Sequence, residues 1–376
     1  MLDPEYFLLF YVLAYILFCF FFIFTLKVRL SSLKFFTVTF VITVSAICGL
    51  RSQYVGTDTY TFYNLTRLMN TSGSFLWAKD YFYYSLTRLG CAIQGFQLSV
   101  LIPSVVTSVF LGWSLYRLVN ISFKEVASRS YFMTRTVSLL LIFILMLSSS
   151  DFLMQIANQT RQIMGLAFFL FAFSFYLEKR IALFLVFSLI GYFSHHSLIL
   201  LFLSLFVVHF VKKERTYFVI LSICCLLSFS GLSGHILGGL GIGVSEDSIY
   251  SKALNSTLSL YVKTFITISL GFFVYYLNKK VPVENRGFES TLINIYMMLS
   301  SLSMLYISFA EASNRIQRYE GVIFPIIFVL LIRKLKVNAL HIVLVILFSI
   351  LYFSFMMNYY STLKTLGFYS SQIKVI

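Results

Sequence analysis

Proline, acidic residues and charge in general are scarce in this sequence. Four prolines and 14 acidic residues serve 376 positions, and charged residues of both signs reach only 11%, where a soluble domain carries about 25%. A soluble enzyme, a secreted scaffold and a disordered chain are all excluded by that balance. The five cysteines are odd in number and lack a Cys-x-x-Cys spacing. Cys19, Cys48 and the Cys224-Cys225 pair stand in apolar runs, so neither a disulfide framework nor a zinc site is indicated. No His-Glu-x-x-His, Walker, Gly-x-Ser-x-Gly or Asp-x-Asp pattern stands out. Support is thereby withdrawn from a metalloprotease, an ATPase and an ordinary lipase, and no metal or cofactor is called for.

Hydrophobic residues supply 59% of the chain, with 43 phenylalanines among them. Apolar surface on this scale needs hydrocarbon as its solvent, and in hydrocarbon the backbone must satisfy its own hydrogen bonds as helix. The expected fold is all-α: one integral membrane domain over residues 1–376, a polytopic helical bundle. Uncharged runs define spans at Tyr6–Leu26, Phe35–Leu50, Leu89–Tyr116, Val137–Ser150, Ile163–Leu177, Tyr217–His235, Leu258–Asn278, Thr291–Phe309, Gly321–Ile332 and Ala339–Met357. The first run is longer than a signal-peptide core, and its flank holds Asp3 and Glu5 without a basic residue, so it reads as a retained span with its N-terminus outside.

Ile181–Val211 decides the parity. As a straight helix this run would reach about 46 Å at 1.5 Å per residue, against ~30 Å of hydrocarbon. Lys179-Arg180 precede it, Lys212-Lys213-Arg215 follow it, and His195-His196 sit in its middle. Two cationic ends on one side require a hairpin over residues 181–211 with the histidines at its outer tip; the alternative is a single tilted helix. The hairpin brings the count to about 12 crossings with both termini outside. The inner loops then hold Lys27, Arg29, Lys34, Arg117, Lys124, Arg129, Arg135, Lys179, Arg180, Lys212, Lys213, Arg215, Lys279, Lys280, Arg286, Arg333, Lys334 and Lys336. Among the acids, Glu125, Glu178, Glu214, Glu284 and Glu289 join them. Topology thus accounts for the net charge of +15 without a nucleic-acid partner.

The outer side keeps the longer polar stretches: residues 51–88, a Gly-rich loop over 230–257, and a short charged loop over 310–320. Arginine there runs against the topology bias. Arg51 follows the second span, Arg161 sits in Gln159-Thr160-Arg161-Gln162, and Arg315 and Arg318 flank Gln317. Such residues anchor span ends in headgroups or pair with nearby acids such as Asp58 and Glu320. As a group at span mouths they suit a phosphate or pyrophosphate, gripped bidentately. Gly56-Thr57-Asp58-Thr59, with Tyr60 and Tyr63 beyond, reads either as a turn or as an acceptor near Arg51. His195-His196-Ser197 reads either as a polar hairpin tip or as a base that works near neutral pH.

These residues resemble the EpsG-type, Wzy-like bacterial polysaccharide polymerases. The resemblance is carried by Arg51 with Gly56-Thr57-Asp58-Thr59-x-x-x-Tyr63, by Arg161-Gln162 opening a span, by His196-Ser197 and by Arg318-Tyr319, in that order along the chain. Lys79-Asp80-Tyr81-Phe82 departs from it, since members often carry Glu-Pro-Gly or a similar sequence there. The resemblance implies a GT-C-like helical enzyme of the bacterial cytoplasmic membrane that joins oligosaccharide repeat units at the outer face. The carrier it implies is undecaprenyl pyrophosphate, which is also the leaving group; the products are O-antigen, capsular or exopolysaccharide chains.

On that reading Arg51, Arg161, Arg315, Arg318 and Gln162 bind the pyrophosphate or acidic sugars. Tyr60, Tyr63 and Tyr319 stack on sugar rings or belong to the interfacial aromatic belt. His196, with His195 or Asp58 as alternates, serves as base or orienting group. The expected partners are the lipid-linked oligosaccharide, membrane lipid, a chain-length regulator and a flippase. A flippase proper, an O-antigen ligase or another membrane transferase are the competing assignments; a flippase would line its passage with ionisable groups deep within spans.

Overall fold

The computed structural model describes residues 4–28, 32–52, 55, 59, 64, 80–125, 133–211, 213–239, 258–335 and 339–358. These residues are helical almost throughout and form no sheet. In chain order the helices are α1 (Pro4–Val28), α2 (Leu33–Gly49), α3 (Tyr81–Gln94), α4 (Phe96–Glu125), α5 (Arg135–Ser148), α6 (Ser150–Ala157), α7 (Thr160–Leu177) and α8 (Ile181–Ser194). They continue with α9 (Ile199–Phe210), α10 (Glu214–Phe229), α11 (Leu232–Gly239), α12 (Leu258–Lys280), α13 (Glu289–Leu305), α14 (Ala310–Ile332) and α15 (Ala339–Asn358). Tyr6–Leu26, α4, α7 and Leu260–Lys280 are long and apolar enough to cross a membrane, and α5 with α6 forms a further apolar stretch bent by 74°. Many of the remaining apolar residues lie on open faces: Leu9, Leu13, Ile16 and Phe20 of α1 are each at least half exposed, with Phe20 at 60%. Such faces are what a helix presents to lipid. The chain is a membrane protein.

It divides into two compact units, residues 1–199 with 336–376, and residues 200–335. In the first, α7 is the hub. Fifteen of its residues, from Thr160 to Phe175, are buried, and it packs against α4, α8 and α6. Hydroxyls within these apolar helices are satisfied locally. Ser104, Thr107 and Ser108 of α4 each donate to the carbonyl four residues back, and Ser114 also donates across to Ala167 of α7 at 3.2 Å. Such bonds let polar residues sit in an apolar bundle without an orphaned donor.

In the second unit α13 packs with α10, α12 and α14. Glu289 at its start is buried and accepts from Lys334 Nζ at 2.6 Å, with Arg333 Nη2 at 3.7 Å from its other oxygen.

Several boundaries differ from the sequence-derived spans. Leu89–Tyr116 is not one helix: Gly95 adopts φ 73°, the left-handed region that costs glycine little, and there α3 ends and α4 begins. The run after Val137 turns sharply at Ser149 and continues as α6. Residues 310–320, expected as a charged outer loop, form the first half of α14 instead. The helix holds because its polar groups find partners: Arg315 with Glu311 one turn back, Gln317 with Thr264 and Ser313, Glu320 with Ser300. Within the expected Gly-rich loop, Leu232–Gly239 is helical, and residues 240–257 lie outside the described set. Within the expected loop 51–88, residues from Tyr81 onward belong to α3.

Candidate functional site

The Ile181–Val211 run breaks at its histidines. His195 has an extended backbone (φ −159°, ψ 115°), and His196–Leu198 make one turn of 3₁₀ helix before α9 starts. Close packing of α8 on α7 places this break. Gly191 of α8 lets α7 approach so nearly that a Cβ there would lie 2.7 Å from Leu198 Cδ2 and 3.1 Å from Phe168 Cβ. A Cβ on Gly165 of α7 would in turn lie 3.3 Å from His195 Cβ.

Asp80 meets the histidines from the other side. It occupies the N-cap position of α3, but its side chain makes no cap hydrogen bond to its own helix, forgoing about 1 kcal/mol of capping. The carboxylate turns to the break instead. Oδ1 accepts from the backbone N–H of His196 at 3.1 Å and faces His196 Nδ1 at 3.1 Å. Oδ2 accepts from Arg161 Nη1 at 2.6 Å and faces His195 Nδ1 at 3.4 Å. The same Nη1 of Arg161 lies 3.1 Å from Tyr84 Oη, and its guanidinium stands over the Tyr84 ring. Below, Tyr83 Oη and Thr160 Oγ1 are 2.8 Å apart, and Tyr83 and Tyr84 pack on Met164 and Phe168. The start of α3, the start of α7 and the end of α8 thus converge on one carboxylate.

Burial works to raise the pKa of Asp80, but hydrogen bonds from His195 and His196, and the charge of Arg161, hold it well below the usual carboxylate range. For His195, burial dominates and lowers the pKa, against the pull of Asp80, so that ring is kept neutral at pH 7. An ionised carboxylate facing each ring at Nδ1 accepts a hydrogen bond from Nδ1–H, which leaves the basic lone pair on Nε2. The two rings differ in access. The His195 side chain is 5% exposed and that of His196 45%. His196 is therefore the ring that a substrate hydroxyl could reach, oriented by a buried carboxylate as in carboxylate–histidine proton relays. The ligand atoms of Asp80, His195 and His196 also lie within 4.8 Å of one another, a spacing that a metal ion could use. A divalent cation there would stand beside the Arg161 guanidinium on the same carboxylate, so the set is better suited to handling a proton than to holding a metal.

Of the arginines singled out in the sequence, Arg161 is the one that contacts Asp80. Arg51 is buried at 1% exposure and donates from Nη1 to the carbonyl of Ile156, in the last turn of α6. A cation there meets the negative end of that helix. Gln162 is buried. Arg315, Arg318 and Tyr319 belong to the second unit: Arg315 Nε donates to Glu311 at 2.8 Å, Arg318 is half-buried, and Tyr319 is buried at 1% exposure, which leaves its ring no open face for a sugar. Asp58, Tyr60 and Tyr63 lie outside the described residues.

Asp80 was missed at the sequence level, where it stood only as part of a departure from the family pattern. One signal pointed to it: an acid directly ahead of an aromatic helix start, Tyr81-Phe82-Tyr83-Tyr84, on the side assigned to Arg161 and His196. A family model described as the EpsG family matches residues 34–372, most of the chain. No curated protein and no solved structure matches it.

Proposed function

The chain belongs to the EpsG family, a family of membrane polysaccharide biosynthesis, and from that membership and the Asp80–His196–Arg161 site we propose that it is an oligosaccharide repeat-unit polymerase. The reaction joins undecaprenyl-pyrophosphate-linked repeat units at the outer face of the bacterial cytoplasmic membrane. A hydroxyl of the acceptor unit attacks the anomeric carbon of the donor. The new C–O bond forms as the bond from that carbon to the pyrophosphate oxygen breaks, and the leaving pyrophosphate takes the bonding electrons. His196 Nε2 receives the hydroxyl proton, and Asp80 steadies the imidazolium that results. Arg161 and the N-terminus of α7 lend positive potential beside the developing charge. Arg51 acts as a positioning residue, tying the chain that follows α2 to the end of α6, from which the chain leads into α7.

The observation that carries this reading is the double grip of one buried carboxylate on the exposed His196. The arrangement of charges supports the orientation. Arg117–Glu178, Lys279–Glu214 and Glu289 with Arg333 and Lys334 each join residues that the charge pattern assigns to the inner side. Asp80–Arg161 and Glu311–Arg315 join residues assigned to the outer side. A GT-C-like bundle of about 12 crossings with both termini outside is consistent with that segregation. A chain-length regulator and a flippase are the protein partners this role implies.

The test is what a deletion strain accumulates. Single repeat units displayed on the outer surface support the polymerase. Units trapped on the inner leaflet indicate a flippase, and long polymer left on the lipid carrier indicates a ligase.

A further inference from the structure

A polar cavity lies at the other end of the first unit, away from the histidines. It has a volume of about 320 Å³ and is lined by Ser32, Leu33, Lys34, Tyr116, Asn120 and Arg135. We propose that it holds the phosphate of a phosphate-bearing anion, with the headgroup of an anionic phospholipid in the inner leaflet as the source its position favours.

The electrostatics are the first argument. Lys34 stands in the opening turn of α2 and Arg135 is the first residue of α5. Ser32 Oγ accepts from Phe35 N–H and Thr134 Oγ1 from Val137 N–H, so both helices start at the cavity with their positive ends toward it. Neither helix has an acid in its first turn, and among the described residues no carboxylate pairs with Lys34 or Arg135. Cations at a helix N-terminus oppose the helix dipole. Two such starts, each with a cation, leave a concentration of positive potential that an anion would relieve. Asn120 and Tyr116 line the same space with polar groups suited to a headgroup, the Asn120 amide donating to the Tyr116 carbonyl at 3.0 Å.

Position is the second argument. Tyr116 stands about 30 Å along α4 from Phe96 at 1.5 Å per residue, the thickness of a hydrocarbon core. On the neighbouring α7, Arg161 at one end and the Arg117–Glu178 pair at the other mark a similar separation, about 26 Å. Trp113, 45% exposed, packs its ring 5.4 Å from that of Tyr116, the kind of aromatic pair that marks the headgroup level. A cationic cavity at that depth faces lipid phosphates first.

Native mass spectrometry of the purified full chain tests the site, with phosphatidylglycerol, phosphatidylcholine and inorganic phosphate as probes. Wild type is expected to retain phosphatidylglycerol and not phosphatidylcholine. Affinity should fall about fivefold for each cation removed in a Lys34→Gln, Arg135→Gln double variant. A charge-conserving Lys34→Arg, Arg135→Lys variant should stay within a few-fold of wild type. Competition by inorganic phosphate would assign the site to a soluble phosphate compound, and its failure to compete would assign it to lipid. Equal retention by wild type and a monodisperse double Gln variant, or no binding of either phosphate probe, would overturn the proposal.

Discussion

Asp80 holds His196 at two points with a single oxygen: Oδ1 is 3.1 Å from the backbone nitrogen of His196 and 3.1 Å from its ring Nδ1. A carboxylate bound in this way fixes both the path of the chain at the helix break and the face of the ring turned outward. Tautomer and orientation therefore depend on one side chain, 116 residues away in sequence.

Replacing that carboxylate by its amide separates shape from chemistry. Asp80→Asn keeps the volume but loses the charge and one acceptor, so the ring is no longer held in one tautomer. Loss of the orienting carboxylate in a comparable serine–histidine–aspartate site costs ~10⁴ in rate, and a loss of that order is expected here. The surface glycan of a deletion strain carrying the variant should show no ladder on gels while the protein stays in the membrane. A normal ladder would remove Asp80 from the site.

Arg161 presents a graded series. Arg161→Ala removes the only guanidinium on Asp80 among the described residues and is expected to lower polymer formation by roughly 10²–10³. Arg161→Lys keeps a point charge without the planar fork, and should recover part of that loss. Equal glycan yields from wild type, the Lys variant and the Ala variant would show that the guanidinium takes no part.

Stability should follow pH in two steps. His195 has a depressed folded pKa, so its contribution is complete above the unfolded value of about 6.5 and is lost as pH falls through the folded one. Asp80 is depressed as well, so its contribution is complete above about 3.9 and fades only below that. Thermal unfolding in detergent should therefore begin to weaken below about pH 6.5, and His195→Asn should flatten that limb. An identical slope in wild type and variant between pH 5 and 7 would contradict the assignment.

Sidedness can be read by labelling. In a background without Cys19, Cys48, Cys91, Cys224 and Cys225, a single His196→Cys is expected to react with an impermeant maleimide added to intact cells. A single Lys34→Cys should react only after the cells are opened. Reaction of position 196 only in opened cells would place the histidines on the cytosolic side and end the polymerase reading.

Composition and charge made the solvent and the secondary structure legible, because burial in hydrocarbon leaves helix as the way for a single segment to satisfy its backbone. The break at His195 and His196 was legible as well: the run is too long for one crossing and has cations at both ends. Helix ends at Gly95 and Ser149 were not, since one residue's backbone angle decides them and apolar patterning continues across both. Arg51 read as a headgroup anchor, a partner for an acid or a phosphate clamp, because a sequence does not show that the carbonyl of Ile156 will be waiting for it.

The sequence by itself therefore determined that this is an α-helical membrane protein of its family, with arginine and histidine at the ends of apolar runs. Tertiary structure decided which of those residues meet. The convergence on Asp80 depends on how closely α7 and α8 pack at Gly165 and Gly191, a distance that comes from the third dimension and leaves no mark on local hydropathy.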